Sequence, residues 1–234
     1  MPFLTAEDAR RALYIDFEGR TDKPPVLLGC TRRSQVRSDA SVWQAVTDPR
    51  FEPLATADGL ETLELADAVE RILRRADSKD RLIVAWSQHE LDVVREYVPD
   101  KVDRFAGRYV NARSFAVRWR NRCHGGDKPD SNRLADWLAF TGYVVPEGAG
   151  RGRSGETIGI LGDAFDRGRT VDQLTSNQRD RWRDLRAHNW HDCTGMRSIV
   201  TKAAQEIGDP ARRVTNTGVL VDTIEMMRPQ VEAT

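Results

Sequence analysis

The sequence predicts an α/β protein with a mixed sheet and helices on both faces. Three observations carry this. A short alternating run lies near the N-terminus, 12–19, and an apolar run follows a turn at 26–30, close enough to form an antiparallel hairpin. A nearly continuous apolar run, 81–86, then sits between two helical patterns, as a buried central strand does. Hairpin strands followed by strand–helix crossovers give a mixed sheet.

The elements can be justified in order. In the first run Leu13, Ile15 and Phe17 alternate with Tyr14, Asp16 and Glu18, a period of two. Lys23-Pro24-Pro25 breaks the chain, and Val26 to Cys30 forms the second strand. Val42, Trp43 and Val46 mark a third strand over 41–47, closed by Asp48-Pro49. Residues 61–75 read as an amphipathic helix, with Leu65, Val69, Ile72 and Leu73 at helical spacing. A helix over 90–97 stops near Pro99, and 109–112 reads as a short strand. Helices follow at 132–141 and at about 176–206, with a glycine-rich loop expected over 145–156. One domain is expected over 10–206, and the C-terminal extension 207–234 carries no assignable pattern.

Composition excludes several classes. The chain has 234 residues and a formal net charge of zero, so only the distribution of charge can speak for a nucleic-acid partner. No apolar run approaches the ~20 residues that span a bilayer, so no membrane association is expected. The N-terminus lacks a secretory pattern. Cys30, Cys123 and Cys193 are odd in number and far apart, which fits a reducing cytoplasm and argues against a disulfide framework or a zinc site.

The chemistry begins at Asp16 and Glu18. Two residues apart on a strand, they share a face, and two adjacent anions raise each other's pKa unless a cation lies between them. Glu90 follows the end of the buried strand. It is either a capping-box residue behind Ser87 or a ligand at the carboxyl end of the sheet. Asp192 interrupts a stripe of Leu185, Asn189, Met196, Ile199 and Ala203 on the last helix. A carboxylate there needs a cation, a donor set or a proton. His188 lies one turn before Asp192 on the same face, whereas His191 points about 100° away from it.

These stretches share a pattern. Tyr14-Ile15-Asp16-Phe17-Glu18-Gly19 is followed by Pro25 to Gly29, then by Val84-Ala85-Trp86-Ser87-Gln88-His89-Glu90. Leu134 to Leu138 with Gly142-Tyr143 comes next, and His188-Asn189-Trp190-His191-Asp192-Cys193 is last. Together they resemble the DEDD-type 3′–5′ exonucleases of the ribonuclease-H-like superfamily, above all a branch of predicted bacterial nucleases whose last motif reads Tyr-Asn-x-x-Asp-Cys. The resemblance covers residues 12 to about 205. It implies a ribonuclease-H-like mixed five-stranded sheet, and two Mg²⁺ or Mn²⁺ ions held by Asp16, Glu18, Glu90 and Asp192, with Asp16 bridging. Asp92 is a nearby alternative to Glu90. His188 would orient or deprotonate the attacking water. The common forms have tyrosine four residues before the last aspartate or histidine five before it; here a histidine stands four before it.

Nucleic acid, DNA or RNA, is the expected partner. Arg118, Trp119, Arg120 and Arg122 form one basic segment, and Arg151 with Arg153 forms another. Arginine beside tryptophan can hold phosphate and stack on bases. Two rivals to an exonuclease are an inactivated nuclease fold that binds nucleic acid or protein, and a ribonuclease-H-like endonuclease.

Overall fold

A computed structural model describes residues 4–32, 41–146 and 153–208. The expected extension 207–234 falls outside these residues except for 207 and 208, and Arg151 falls outside them entirely.

A short helix, α1 (Ala6–Arg11), opens the fold behind a reciprocal Thr5/Asp8 capping box. Three antiparallel strands follow: β1 (Leu13–Glu18), β2 (Leu27–Arg32) and β3 (Ser41–Val46). Helix α2 (Glu52–Ala57) leads to β4 (Glu61–Thr62). Then come α3 (Leu65–Asp77), β5 (Ile83–Ala85), α4 (His89–Tyr97), α5 (Val102–Ala106) and β6 (Tyr109–Asn111). Among the described residues four helices follow: α6 (Ala112–Cys123), α7 (Leu134–Thr141), α8 (Ser154–Asp166) and α9 (Ser176–Gly208).

Among the described residues the sheet has six strands in the order β4-β3-β2-β1-β5-β6. The expected count was five. The extra strand is the two-residue β4, taken from the expected start of the 61–75 helix, where Glu61 and Thr62 pair in parallel with Ala45 and Val46. β5 and β6 continue from β1 in parallel, so the sheet is mixed as the sequence predicts.

Alternation along β1 separates two cores. Leu13, Ile15 and Phe17 pack with Val69, Ile72 and Leu73 of α3, Val94 of α4 and Phe105 of α5. Tyr14, on the opposite face, packs with Trp119, Trp137, Met196 and Ile199. A third cluster joins Leu27 and Val46 to Phe51, Leu161, Trp182 and Leu185. Helices therefore cover both faces. Helix α9 has 33 residues, roughly 50 Å at 1.5 Å per residue, enough to cross the whole face and touch α1, α6, α7, α8, β1 and β2. Gly195 lets α7 close on it, since a Cβ there would lie 2.4 Å from Leu138 Cδ2.

Two helices differ from expectation. The 118–122 run lies in α6, opened by Asn111, whose side chain accepts from the Ser114 amide at 2.9 Å. The end of the expected 145–156 loop is the first turn of α8, which begins at Ser154. Among the described residues, no helix is long and apolar enough to cross a membrane.

Candidate metal centre

The pleat of β1 turns Asp16 and Glu18 toward α9, on the face that carries Tyr14. Across the hairpin, Asp16 is opposite Gly29 and Glu18 opposite Leu27. Helix α9 brings His188, Asn189 and Asp192 over this strand pair. Helix α4 starts at the carboxyl end of β5, the parallel neighbour of β1, and presents Glu90 in its first turn.

Glu18, His188 and Asp192 form the tightest group: each offers one ligand atom, and these lie within 4.8 Å of one another. His188 Nε2 is 3.6 Å from Asp192 Oδ2 and 3.9 Å from Glu18 Oε1. Asp16 is held by Asn189, whose Nδ2 donates to Asp16 Oδ2 at 2.9 Å and to the Asp16 carbonyl at 3.0 Å.

Glu90 is buried, at 4% exposure. Its carboxylate accepts from the Ser87 and Glu90 amides, the glutamate half of a capping box, without the reciprocal Ser87 side-chain bond. Gln88 opens α4 without a side-chain cap, and the Ser87 hydroxyl accepts instead from the His89 amide at 3.2 Å. Asp92 is exposed and ion-paired with Arg95, away from the cluster.

All four acids are pushed toward their protonated forms. Burial lifts Glu18 well above the ordinary range, and the Asp16 and Asp192 carboxylates add to this. Burial raises Asp192 strongly, helped by Asp16 and Glu90. Glu90 is pushed up to about 8, first by burial and then by Asp16. Asp16 rises as well through burial, with His188 and Asn189 opposing. Glu18 Oε1 and Glu90 Oε2 are buried without a hydrogen-bond partner. Stranding a buried carboxylate oxygen costs several kcal/mol unless a cation or a proton meets it. Two carboxylates with an imidazole, Glu18, Asp192 and His188, and the carboxylates of Asp16 and Glu90 beside them are donors that a divalent cation accepts, so these residues fit such an ion.

Of the two histidines of α9 near the acids, His188 faces them. His191 Nδ1 is 3.1 Å from the Tyr143 hydroxyl, which also contacts Thr194 Oγ1 at 2.8 Å, and burial lowers the His191 pKa.

The expected nucleic-acid residues separate. Trp119 cannot stack on a base: it is fully buried, and its Nε1 donates to Glu206 at 2.9 Å. The cause is the spacing of Ala112, Phe115, Ala116 and Trp119, which share the inner face of α6. Arg118 is exposed and lines a shallow depression with Arg113, Ser114, Val117 and Asn132. Arg120 and Arg122 are half-buried, and Arg120 bonds Asn121 and lies 5.9 Å from the Trp137 ring. Arg153 is exposed at the start of α8, one residue before Ser154, which hydrogen-bonds Glu18.

Asn189, Gln44 and Ser154 were not singled out by sequence reasoning as site residues. For Asn189 a signal existed, an amide inside the apolar stripe one turn before Asp192. Gln44 and Ser154 reach the site only through tertiary packing. Comparison with protein-family models, with curated proteins and with solved structures returns no match.

Proposed function

We propose that this chain is a metal-dependent nuclease of ribonuclease-H-like fold, hydrolysing phosphodiester bonds of DNA or RNA from the 3′ end. The observation that carries the reading is the pair of buried carboxylate oxygens, Glu18 Oε1 and Glu90 Oε2, without a hydrogen-bond partner among four acids that raise one another's pKa.

Asp16, Glu18, Glu90 and Asp192 would hold two Mg²⁺ or Mn²⁺ ions. When bound, such ions activate a water and stabilise the leaving oxygen of a phosphodiester. The chain's own residues do the rest. The four carboxylates balance the cations. His188, beside Glu18 and Asp192, orients the attacking water and takes its proton. Arg118 and Arg153, both exposed, offer phosphate contacts. Cys30, Cys123 and Cys193 are thiols rather than disulfides, the state that a reducing cytoplasm keeps.

A Mn²⁺-dependent digestion panel tests this, with end-labelled DNA and RNA and Asp16→Asn as control. Stepwise shortening from the 3′ end by wild type alone supports the reading. Cleavage of substrates with blocked 3′ ends turns it toward an endonuclease, and equal activity in Asp16→Asn removes the site from the chemistry.

A second reading is favoured by one observation: His188 offers a ligand atom within 4.8 Å of those offered by Glu18 and Asp192. In it, His188 is a ligand of a single ion rather than a base, and its imidazole favours a transition metal over Mg²⁺. His188→Ala would then lose metal binding as well as activity.

A further inference from the structure

The geometry points to Asn189 as a positioning residue for Asp16, locked in the donating orientation by Gln44 over a side-chain-free strand position at Gly29. This rests on the metal-site reading above and extends it to residues outside the acid cluster.

The orientation of the amides can be traced to a fixed acceptor. Gln44 Nε2 donates to the backbone carbonyl of Arg186 at 2.8 Å, and a carbonyl can only accept. Gln44 must therefore present its NH₂ to α9. The same nitrogen lies 2.9 Å from Asn189 Oδ1, so the carbonyl end of Asn189 faces Gln44. Its NH₂ end is then committed to Asp16, at 2.9 Å to Oδ2 and 3.0 Å to the main-chain oxygen. A reversed Asn189 would set its oxygen against two oxygens of Asp16 and its NH₂ against the NH₂ of Gln44. The relay thus has one orientation.

Burial makes the relay decisive. Asn189 is fully buried and Gln44 is 9% exposed, so no solvent replaces a lost bond. Space for the amide comes from β2. A Cβ at Gly29 would lie 2.3 Å from Asn189 Oδ1 and 2.9 Å from Cys193 Sγ. Gly29 is also the residue opposite Asp16 in the hairpin register. Strands β1, β2 and β3 and helix α9 therefore each contribute one member of a set that fixes the rotation of the Asp16 carboxylate. Groups that hydrogen-bond a metal ligand set its orientation and basicity, and their removal typically costs about 10–100-fold in metal affinity.

The test is Mn²⁺ titration of the full chain, followed by electron paramagnetic resonance, with thermal melting of each metal-free variant alongside. Asn189→Ala is expected to weaken Mn²⁺ binding about tenfold or more. Gln44→Met keeps the side-chain volume but removes the donor, and is expected to weaken binding by a smaller factor, about threefold to tenfold. If Asn189→Ala does not fold, Gln44→Met, which does not touch Asp16, decides. A purely structural role would lower the melting temperature and leave the affinity of the folded protein unchanged. Affinity within twofold of wild type in Asn189→Ala, or in Gln44→Met where only that variant folds, overturns this inference alone. A wild type that binds no Mn²⁺ at millimolar concentration overturns the metal reading and the inference together.

Discussion

His188 Nε2 lies 3.6 Å from Asp192 Oδ2, one helical turn along α9, and 3.9 Å from Glu18 Oε1 on β1. One imidazole thus stands between acids contributed by two different elements. On the proposed function it handles the water proton, and would then matter to the rate and not to ion affinity. His188→Ala is expected to lower kcat by about 10²–10⁴-fold and to leave Mn²⁺ affinity within about threefold. Parallel kinetics and Mn²⁺ titration check this; equal losses in both favour the ligand role.

Glu90, Glu18 and Asp192 all bind protons more tightly in the folded chain than in an ordinary carboxyl environment. A group with a raised folded pKa favours the folded state at low pH, and that contribution is lost as pH rises through the folded value. For Glu90 the window runs from the ordinary 4.5 to about 8. Metal-free protein should lose stability across it, on the order of a few kcal/mol. Saturating Mn²⁺ should suppress the loss by replacing the proton with a cation, and Glu90→Gln should make the metal-free curve shallower, with Glu18 and Asp192 supplying the remaining slope. Melting temperature against pH, with and without Mn²⁺, reads all three.

Asp16 is the acid nearest the centre of the electrostatic coupling, since it raises Glu18, Glu90 and Asp192 together. Asp16→Asn removes that repulsion. It should raise the metal-free melting temperature at pH 8 while reducing cleavage by about 10³-fold or more, the loss expected when several kcal/mol of transition-state stabilisation disappear. Calorimetry and a cleavage assay on the same preparation test the opposed signs.

Trp119 and Arg118 are neighbours in sequence with opposite surroundings, one buried against Glu206 and the other exposed. Trp119→Ala should destabilise the fold by about 3–5 kcal/mol without a specific loss of nucleic-acid affinity at temperatures where it is folded. Arg118→Ala should leave stability nearly unchanged and reduce the salt dependence of binding by about one phosphate contact. Denaturation curves and binding at several salt concentrations separate the two.

These contrasts show what the sequence made legible. Asp16 and Glu18 were readable because strand period fixes their shared face whatever surrounds them. Asp192 stood out as a charge in an apolar stripe. Glu90 is ambiguous in sequence, since a first-turn acid serves equally as a cap, and its burial beside Asp16 is something no local pattern reveals. Trp119 was misread because its basic neighbours suggested a surface, although its spacing to Ala112 and Phe115 already marked an inner helix face. Strand β4 was hidden because two residues carry no periodicity. The Gln44–Asn189 contact joins positions 145 residues apart, and no local pattern announces such a pairing.

The most direct measurement of the central claim is anomalous diffraction from crystals soaked in millimolar Mn²⁺. Two anomalous peaks enclosed by Asp16, Glu18, Glu90 and Asp192 are predicted. The absence of any peak within ligand distance of these carboxylates would contradict it.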